Sequence, residues 1–391
     1  MAQTGHNKQK RDDLRQIGLA CLIDYDTKIS LHYKIYNGNT NDAKLFNEML
    51  LDLIEQAKKC GKYILTLIFD NGMISDKNVI IIDNLDDVNF ITSYSIKELP
   101  KELSYYVRIK PDKYEYIDCR HNNRIDEEIK KHPHLQAYKE KSKIKAIRST
   151  EIFWGKPRVF IVTYSEELYD KQMYKFNEHM IKIKTWLNEA KIRYKNKVNG
   201  YRNKTDVMTL YRKKAKKLFL SEDFFELTFN DDGTGFSYRK NNLFINDHTI
   251  IFGKKVLISD RDDLSTGELV QLYIDKKDVE VVFKRLKMIN VVGFNHIYQW
   301  MDDKICCHIG VCIIALSYLQ LIEYVLRKNG ITESVQSILF KLEHIYSVII
   351  SYQDLFGKDV EDRIISKIDP YCQKIFESFS DDALNKFFTD E

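Results

Sequence analysis

The chain has 391 residues, 44% of them hydrophobic and 30% charged, with five prolines and a formal net charge of +4. That length allows two or three domains, or one domain with a long insertion; the composition excludes wholesale disorder, and the size excludes a small disulfide-stapled scaffold. Four surplus positive charges say little about nucleic acid as a total, so their distribution matters more.

Seven cysteines, at 21, 60, 119, 306, 307, 312 and 372, make an odd number without a CxxC pair, which reads as a reducing compartment. Cys306, Cys307 and His308 are consecutive and would point around a helix rather than converge, so a zinc site is not inferred. The most apolar run, "HIGVCIIALSYLQLIEYVL", carries Ser, Gln and Glu323 and reads as a core helix rather than a membrane span.

In chain order, "IGLACLIDY" and "KISLHYKIY" flank a polar turn at Asp24 to Thr27 and predict a hairpin. "GNTNDAKLFNEMLLDLIEQAKK" opens with cap residues and continues in helical period. "YILTLIFD" is a nearly continuous apolar strand that suits a central position covered on both faces, and it ends at Asp70. A turn and helix in "NGMISDKNVIIIDNL" and a strand in "NFITSYSI" complete a strand, strand, helix, strand, helix, strand order. That order predicts an α/β layer with a mixed sheet flanked by helices.

From about Glu98 the texture changes. Residues 98–255 carry lysine-rich helical stretches, the strand "RVFIVTY" and a hairpin in "FFELTFNDDGTGFSYRK", and read as an α+β insertion with its own packing. "KKVLISD" then returns as a strand, and "LSTGELVQLYIDKKDVEVVFKRLK" as one long helix begun by a capping box of Ser265 and Glu268. Helical regions at 303–328 and 334–355 and a polar helical tail follow. The expected division is 1–97 and 256–330 for the core, 98–255 for the insertion and 331–391 for a helical C-terminal region.

The late helix raises the functional question. At about 100° per residue, Tyr273, Lys276, Glu280 and Lys287 share a stripe roughly 60° wide, beside an apolar arc of Leu272, Val279, Val282, Phe283 and Leu286. The plain account is a solvated face with Glu280 paired to Lys276 or Lys284. Asp70 weighs against it, because strand ends in α/β sheets are where catalytic groups collect.

Tyr273, two residues, Lys276, three residues, Glu280, six residues, Lys287 resembles the Tyr-Arg-Glu-Lys signature of the large insertion-sequence DDE transposase superfamily, with lysine where that signature has arginine. "GHNKQKRDDLRQIGLACLID", "YKIYNGNTNDAKLF", "LIFDNGMIS" and "HIYQWMDDKICCHIGVCIIAL" resemble its successive blocks in order, to about residue 328. The resemblance implies an RNase H-like mixed sheet interrupted by an insertion domain. It also implies three carboxylates holding two Mg2+ or Mn2+ ions, with Asp70 as the second and Glu280 as the third. Such ions activate a water or a DNA 3′-hydroxyl for in-line attack on a phosphodiester. Tyr273, Lys276 and Lys287 would then contact transposon-end DNA, Lys276 without the bidentate fork of arginine.

In that family the first Asp lies on a strand ahead of the block "GHNKQKR", which begins here at Gly5. The expectation is therefore that this strand is absent, that Asp12, Asp13, Asp24 and Asp26 do not replace its carboxylate, and that the chain alone joins strands poorly or not at all. The expected partners are double-stranded terminal-repeat DNA and a second copy of the chain, in a prokaryotic cytoplasm, with no membrane. Two rivals remain: a non-catalytic DNA-binding remnant that regulates transposition, and an RNase H-like nuclease. Lys213, Lys214, Lys216 and Lys217, with Tyr211 and Phe219, offer a further DNA track. His308 reads as a core or capping histidine, and His132 and His134 receive no role.

Overall fold

The computed structural model describes residues 2–4, 14–40, 42–61, 64–288, 292–293, 297–299, 301–353 and 356–380. Asp12, Asp13 and most of the block "GHNKQKRDDLRQ" lie outside the described residues, as do His296 and Trp300. The described chain is a mixed α/β structure that divides into two compact units, residues 64–275 and residues 1–63 with 276–391.

The split unit begins with β1 (Gln3–Thr4), β2 (Arg15–Ile23), β3 (Ser30–Asn37) and α1 (Asp42–Lys59). β2 and β3 form the predicted hairpin. Its turn is closed by Asp24, which is buried and accepts from the Thr27 N–H (2.9 Å) and Oγ1 (2.7 Å). Both faces of the hairpin are apolar because both are covered. Ala20, Leu22 and Tyr36 meet Leu45, Met49 and Leu53 of α1, while Ile17, Leu19, Tyr33 and Ile35 pack into a second helical layer.

Residues 64–275 hold β4 (Leu65–Phe69), α2 (Asp76–Asp83), β5 (Val88–Tyr94), β6 (Glu115–Tyr116), α3 (Arg120–Lys131), α4 (Gln136–Lys139), β7 (Lys145–Phe153) and β8 (Lys156–Tyr164). There follow α5 (Glu166–Lys195), α6 (Lys204–Lys217), β9 (Phe225–Phe229), β10 (Phe236–Lys240), α7 (Asn242–Thr249), β11 (Lys254–Ser259) and α8 (Thr266–Asp275). Six strands form one sheet in the order β4-β5-β11-β8-β7-β6. It is mixed: β4 and β5 are parallel and every other pair is antiparallel. β4, expected as a central strand, lies instead at the sheet edge, paired on one side only by β5 and half-buried up to Phe69, and among the described residues the first hairpin is not part of this sheet. Residues 98–255 thus supply three strands to the same sheet as β5, because "RVFIVTY" is buried along its whole middle and needs strand neighbours on both edges. Residues 166–249 instead gather much of their apolar surface around a core of their own, with Ile183, Leu187, Tyr211, Phe224 and Phe236.

Leu269 and Val270 of α8 close one face of the sheet over Ile91, Val159, Ile161 and Leu257. At the N-terminus of α8 the capping box is made as expected: Ser265 N–H donates to Glu268 Oε2 (2.8 Å) and Glu268 N–H to Ser265 Oγ (3.2 Å). Across the sheet edge Arg158, only 3% exposed, pairs with Asp83 and lies 3.8 Å from Asp260.

The split unit resumes with α9 (Lys277–Lys287), α10 (Asp302–Lys328), α11 (Val335–Leu342), β12 (Ser347–Gln353), β13 (Asp359–Ile365) and α12 (Pro370–Glu377). Three expectations are corrected here. The long helix breaks at Lys276, because its two apolar stripes serve different cores: Leu269 and Val270 the sheet, Val282 and Leu286 a cluster with Ile305, Ile309 and Leu316 of α10. Residues 334–355 are helical only to Leu342; "SVIISYQ" is β-branched and pairs as β12 with β13, the reversal aided by Gly357 at φ +76°. The tail is that strand and the short α12, N-capped by Asp369. α10 is long and apolar enough to cross a membrane, yet Ile309, Ile313 and Leu316 are core residues and Gln320 is buried, accepting from Ser30 N–H and donating to the Lys28 carbonyl.

Candidate active site

β4 is a short apolar strand whose last residue, Phe69, is buried, and the chain emerges at Asp70 with an exposed side chain. Asp70 is extended (φ −85°, ψ 162°), and its carbonyl accepts from Met73 N–H (3.0 Å) as a 3-10 turn over Asn71–Met73 begins. Asp70 stands at the N-cap position of that turn, but its side chain makes no cap hydrogen bond there.

The carboxylate is instead held from α8. Tyr273 Oη donates to Asp70 Oδ1 at 2.8 Å. Ser93 on β5 is hydrogen-bonded to the same phenol, and its Oγ accepts from the Asn71 N–H at 3.2 Å. The donors run in one direction, from Asn71 N–H to Ser93, from Ser93 to Tyr273, and from Tyr273 to the carboxylate. Burial, with Asp70 adding to it, pushes the Tyr273 hydroxyl well above its ordinary range, so it stays a proton donor at any physiological pH. The structure therefore brings together two residues singled out from the sequence, Asp70 and Tyr273, 203 positions apart. Sequence reasoning missed Ser93, which carries no local signal; it sits opposite Leu257 in the β5–β11 register like any other strand residue.

Lys276, Glu280 and Lys287 belong to the split unit. Lys276 is the bend between α8 and α9 (φ −51°, ψ −25°). Val282 and Leu286 anchor α9 on α10 and the β2–β3 hairpin, Arg285 is clamped to Glu323 at 2.5 and 2.8 Å, and Lys28 reaches Asp278 at 3.0 Å. Glu280 is exposed in the first turn of this fixed helix. Among the described residues it makes neither of the ion pairs, to Lys276 or Lys284, that a solvated charge ladder would have.

A hard divalent cation takes oxygen ligands, and Mg2+ commonly uses one or two carboxylates with water and substrate phosphate completing the shell. Asp70 fits that chemistry, and beside it the Asn71 side-chain oxygen is buried without a hydrogen-bond partner among the described residues. Among the described residues no three His, Cys, Asp or Glu side chains gather as a metal cage.

The lysine-rich helix α6 divides its candidates. Tyr211 is a core residue whose hydroxyl donates to the Glu222 carbonyl (2.7 Å), so it faces no ligand. Phe219 is 79% exposed at φ +55°, stacked on His179, just beyond Lys213, Lys214, Lys216 and Lys217. His308 lies on α10 with its ring 3.8 Å from the Cys312 sulfur.

Compared with known proteins, residues 1–296 match the family described as Transposase DDE domain. No curated protein and no solved structure matches the chain.

Proposed function

Because the chain belongs to the DDE transposase-domain family, which its residues 1–296 match, we propose that it cuts and joins the ends of an insertion sequence by metal-dependent phosphodiester hydrolysis and transesterification. The fold on this reading is RNase H-like, interrupted by an insertion of which residues 166–249 carry a core of their own, and Asp70 and Glu280 are two of its metal-binding carboxylates. The observation that carries the reading is Asp70, an exposed acid at the end of the apolar edge strand β4 and fixed by a phenol from the helix that leads into the Glu280 segment.

When bound, Mg2+ or Mn2+ supplies the Lewis acidity that activates the attacking oxygen and stabilises the leaving one. The chain's own residues do the rest. Asp70 offers oxygen ligands in a rotation set by Tyr273, which on this reading acts through Asp70. Glu280 offers a second carboxylate on a helix face rich in lysine, and Lys276 and Lys287 meet DNA phosphates as point charges. The protein acts in solution on double-stranded terminal-repeat DNA, as a homodimer, in a prokaryotic cytoplasm alongside the nucleoid.

The test is cleavage of duplexes carrying the DNA that flanks this reading frame, with Mg2+ or Mn2+ against a chelator. Metal-dependent nicking at the element end supports the reading, and nicking followed by 3′-end joining supports transposition specifically. Binding without any cleavage overturns it in favour of a DNA-binding regulator, the outcome that the expectation of poor joining by this chain alone calls for, and cleavage without joining overturns it in favour of a nuclease. Lys276→Arg restores a bidentate phosphate fork; end affinity several-fold tighter in a filter-binding titration is expected, and unchanged affinity removes Lys276 from the interface.

A further inference from the structure

Among the described strands longer than two residues the β12–β13 hairpin is the most exposed: all seven residues of β12 and six of seven in β13 are exposed. Its register places Val348 opposite Ile364, Ile350 opposite Asp362 and Tyr352 opposite Val360. Since paired residues share a face and alternate along each strand, one face is Val348, Ile350, Tyr352, Val360, Asp362 and Ile364, apolar except for one acid. An isolated two-stranded hairpin is marginal in water and gains independent stability from a third and fourth strand.

The two edges of this hairpin differ. β13 carries Asp359, Glu361, Asp362 and Arg363, three acids against one base, so its own charge is −2. That charge blunts the edge against strand addition and repels nucleic acid. β12, "SVIISYQ", carries no charge at all, and among the described residues its outer edge has no strand partner. It is the kind of edge that recruits another strand.

The sequence of β12 indicates which strand. Laid antiparallel on a copy of itself about Ile350, it sets Val348 against Tyr352 twice, Ile349 against Ser351 twice, Ser347 against Gln353 twice and Ile350 against itself. Every apolar residue of the hairpin's apolar face meets another apolar residue, including two aromatic/β-branched pairs, and no charge opposes a like charge. Such an isologous contact closes at two copies. The four strands formed would run β13-β12-β12-β13, with both acidic edges outermost, where they oppose further growth. We propose that β12 is a homodimerisation edge of this chain, pairing antiparallel with β12 of a second copy about Ile350. It deepens the homodimer of the functional reading, but it is tested without DNA or metal, so it stands or falls separately from cleavage.

The experiment is sedimentation velocity on the full chain from about 1 to about 100 µM, a range that spans ordinary dimer affinities. The unaltered chain is expected to be a dimer. Ile350→Lys and Ile350→Glu, each made together with Asp362→Asn so that the acid opposite Ile350 in the hairpin neither neutralises the lysine nor repels the glutamate, set a like charge against itself at the two-fold, so each alone is expected to be a monomer, weakened at least about 100-fold. Mixed in equal amounts they place Lys against Glu, and a dimer of one chain of each is expected to return. That rescue also shows that neither variant lost its fold, a low risk where Ile350 is 43% exposed already. A monomeric unaltered chain, a dimer of either variant alone, a mixture that stays monomeric, or growth beyond two copies overturns the proposal.

Discussion

Asp70 and Glu280 are both exposed acids, and the two units treat them differently. Asp70 is gripped by a phenol that is itself held by Ser93, at the end of the edge strand of a six-stranded sheet. Glu280 has a fixed backbone, because Val282 and Leu286 are buried beneath it, but among the described residues its carboxylate has no partner. One acid is positioned by the protein; the other is positioned only as far as its Cα. The lesson is that a carboxylate with a preorganised donor can be weakened in small steps through that donor, whereas one without can be altered only by removing it or by loosening the helix that carries it.

The largest effects test whether both acids serve one reaction. Asp70→Asn and Glu280→Gln keep shape and remove charge, and each is expected to lower single-turnover cleavage by about 10^3-fold or more while DNA affinity changes only a few-fold. A Glu280→Gln chain that cleaves normally would break the comparison at its root, since the exposed acid would then be one more solvated charge. Next in size is the packing under Glu280. Leu286→Ala, at a fully buried position of α9, should cost about 3 kcal/mol of stability, read as the midpoint shift in urea. It should lower cleavage more than DNA binding, because a loosened α9 blurs the position of Glu280.

A smaller effect lies in the sheet that carries Asp70. Lys254 on β11 is buried, donating to the Val107 and Ile109 carbonyls at 2.7 Å each, and burial pulls its pKa from an ordinary 10.5 down to about 8. Between those values the unfolded chain binds more protons than the folded one, so stability rises with pH from about 8 to 10.5 and is lowest below 8. Thermal midpoints measured from pH 7 to 10 should show that upward contribution, and Lys254→Met should remove it. A Lys254→Met profile parallel to that of the unaltered chain would show the ammonium to be hydrated rather than desolvated in the fold.

Much of the Asp70 side was legible in the sequence, because its signals are local. A continuous apolar run ends at the acid, a capping box starts α8, and hairpin turns mark β2–β3 and β9–β10. What escaped is what depends on distant partners. Ser93 is an ordinary strand residue until Tyr273 arrives from the far end of the unit. The break at Lys276 hides inside an unbroken helical period, since nothing local says that Leu269 and Val282 bury against different cores. "SVIISYQ" reads as part of a helix at 334–355 and is a strand, because a short apolar run fits either state until β13 supplies its ladder.

The finest test separates two roles for Tyr273, orienting Asp70 or stacking on DNA. Its ring packs against the core of Leu269 and Val270 and its hydroxyl is on Asp70, so Tyr273→Phe keeps the packing and removes only the donor. One hydrogen bond to an exposed carboxylate is worth about 1 kcal/mol, so cleavage from the bound complex should fall about five- to tenfold with end affinity unchanged. The raised hydroxyl pKa adds a pH criterion: in the unaltered chain the donor persists, so the ratio of the two cleavage rates should stay flat from pH 7 to 9. Ser93→Ala should reproduce part of the loss, because it releases the phenol without touching Asp70. Were Tyr273→Phe to lower end affinity while leaving the bound-state rate intact, the residue would belong to the DNA interface, and Asp70 would be no better positioned by its neighbours than Glu280.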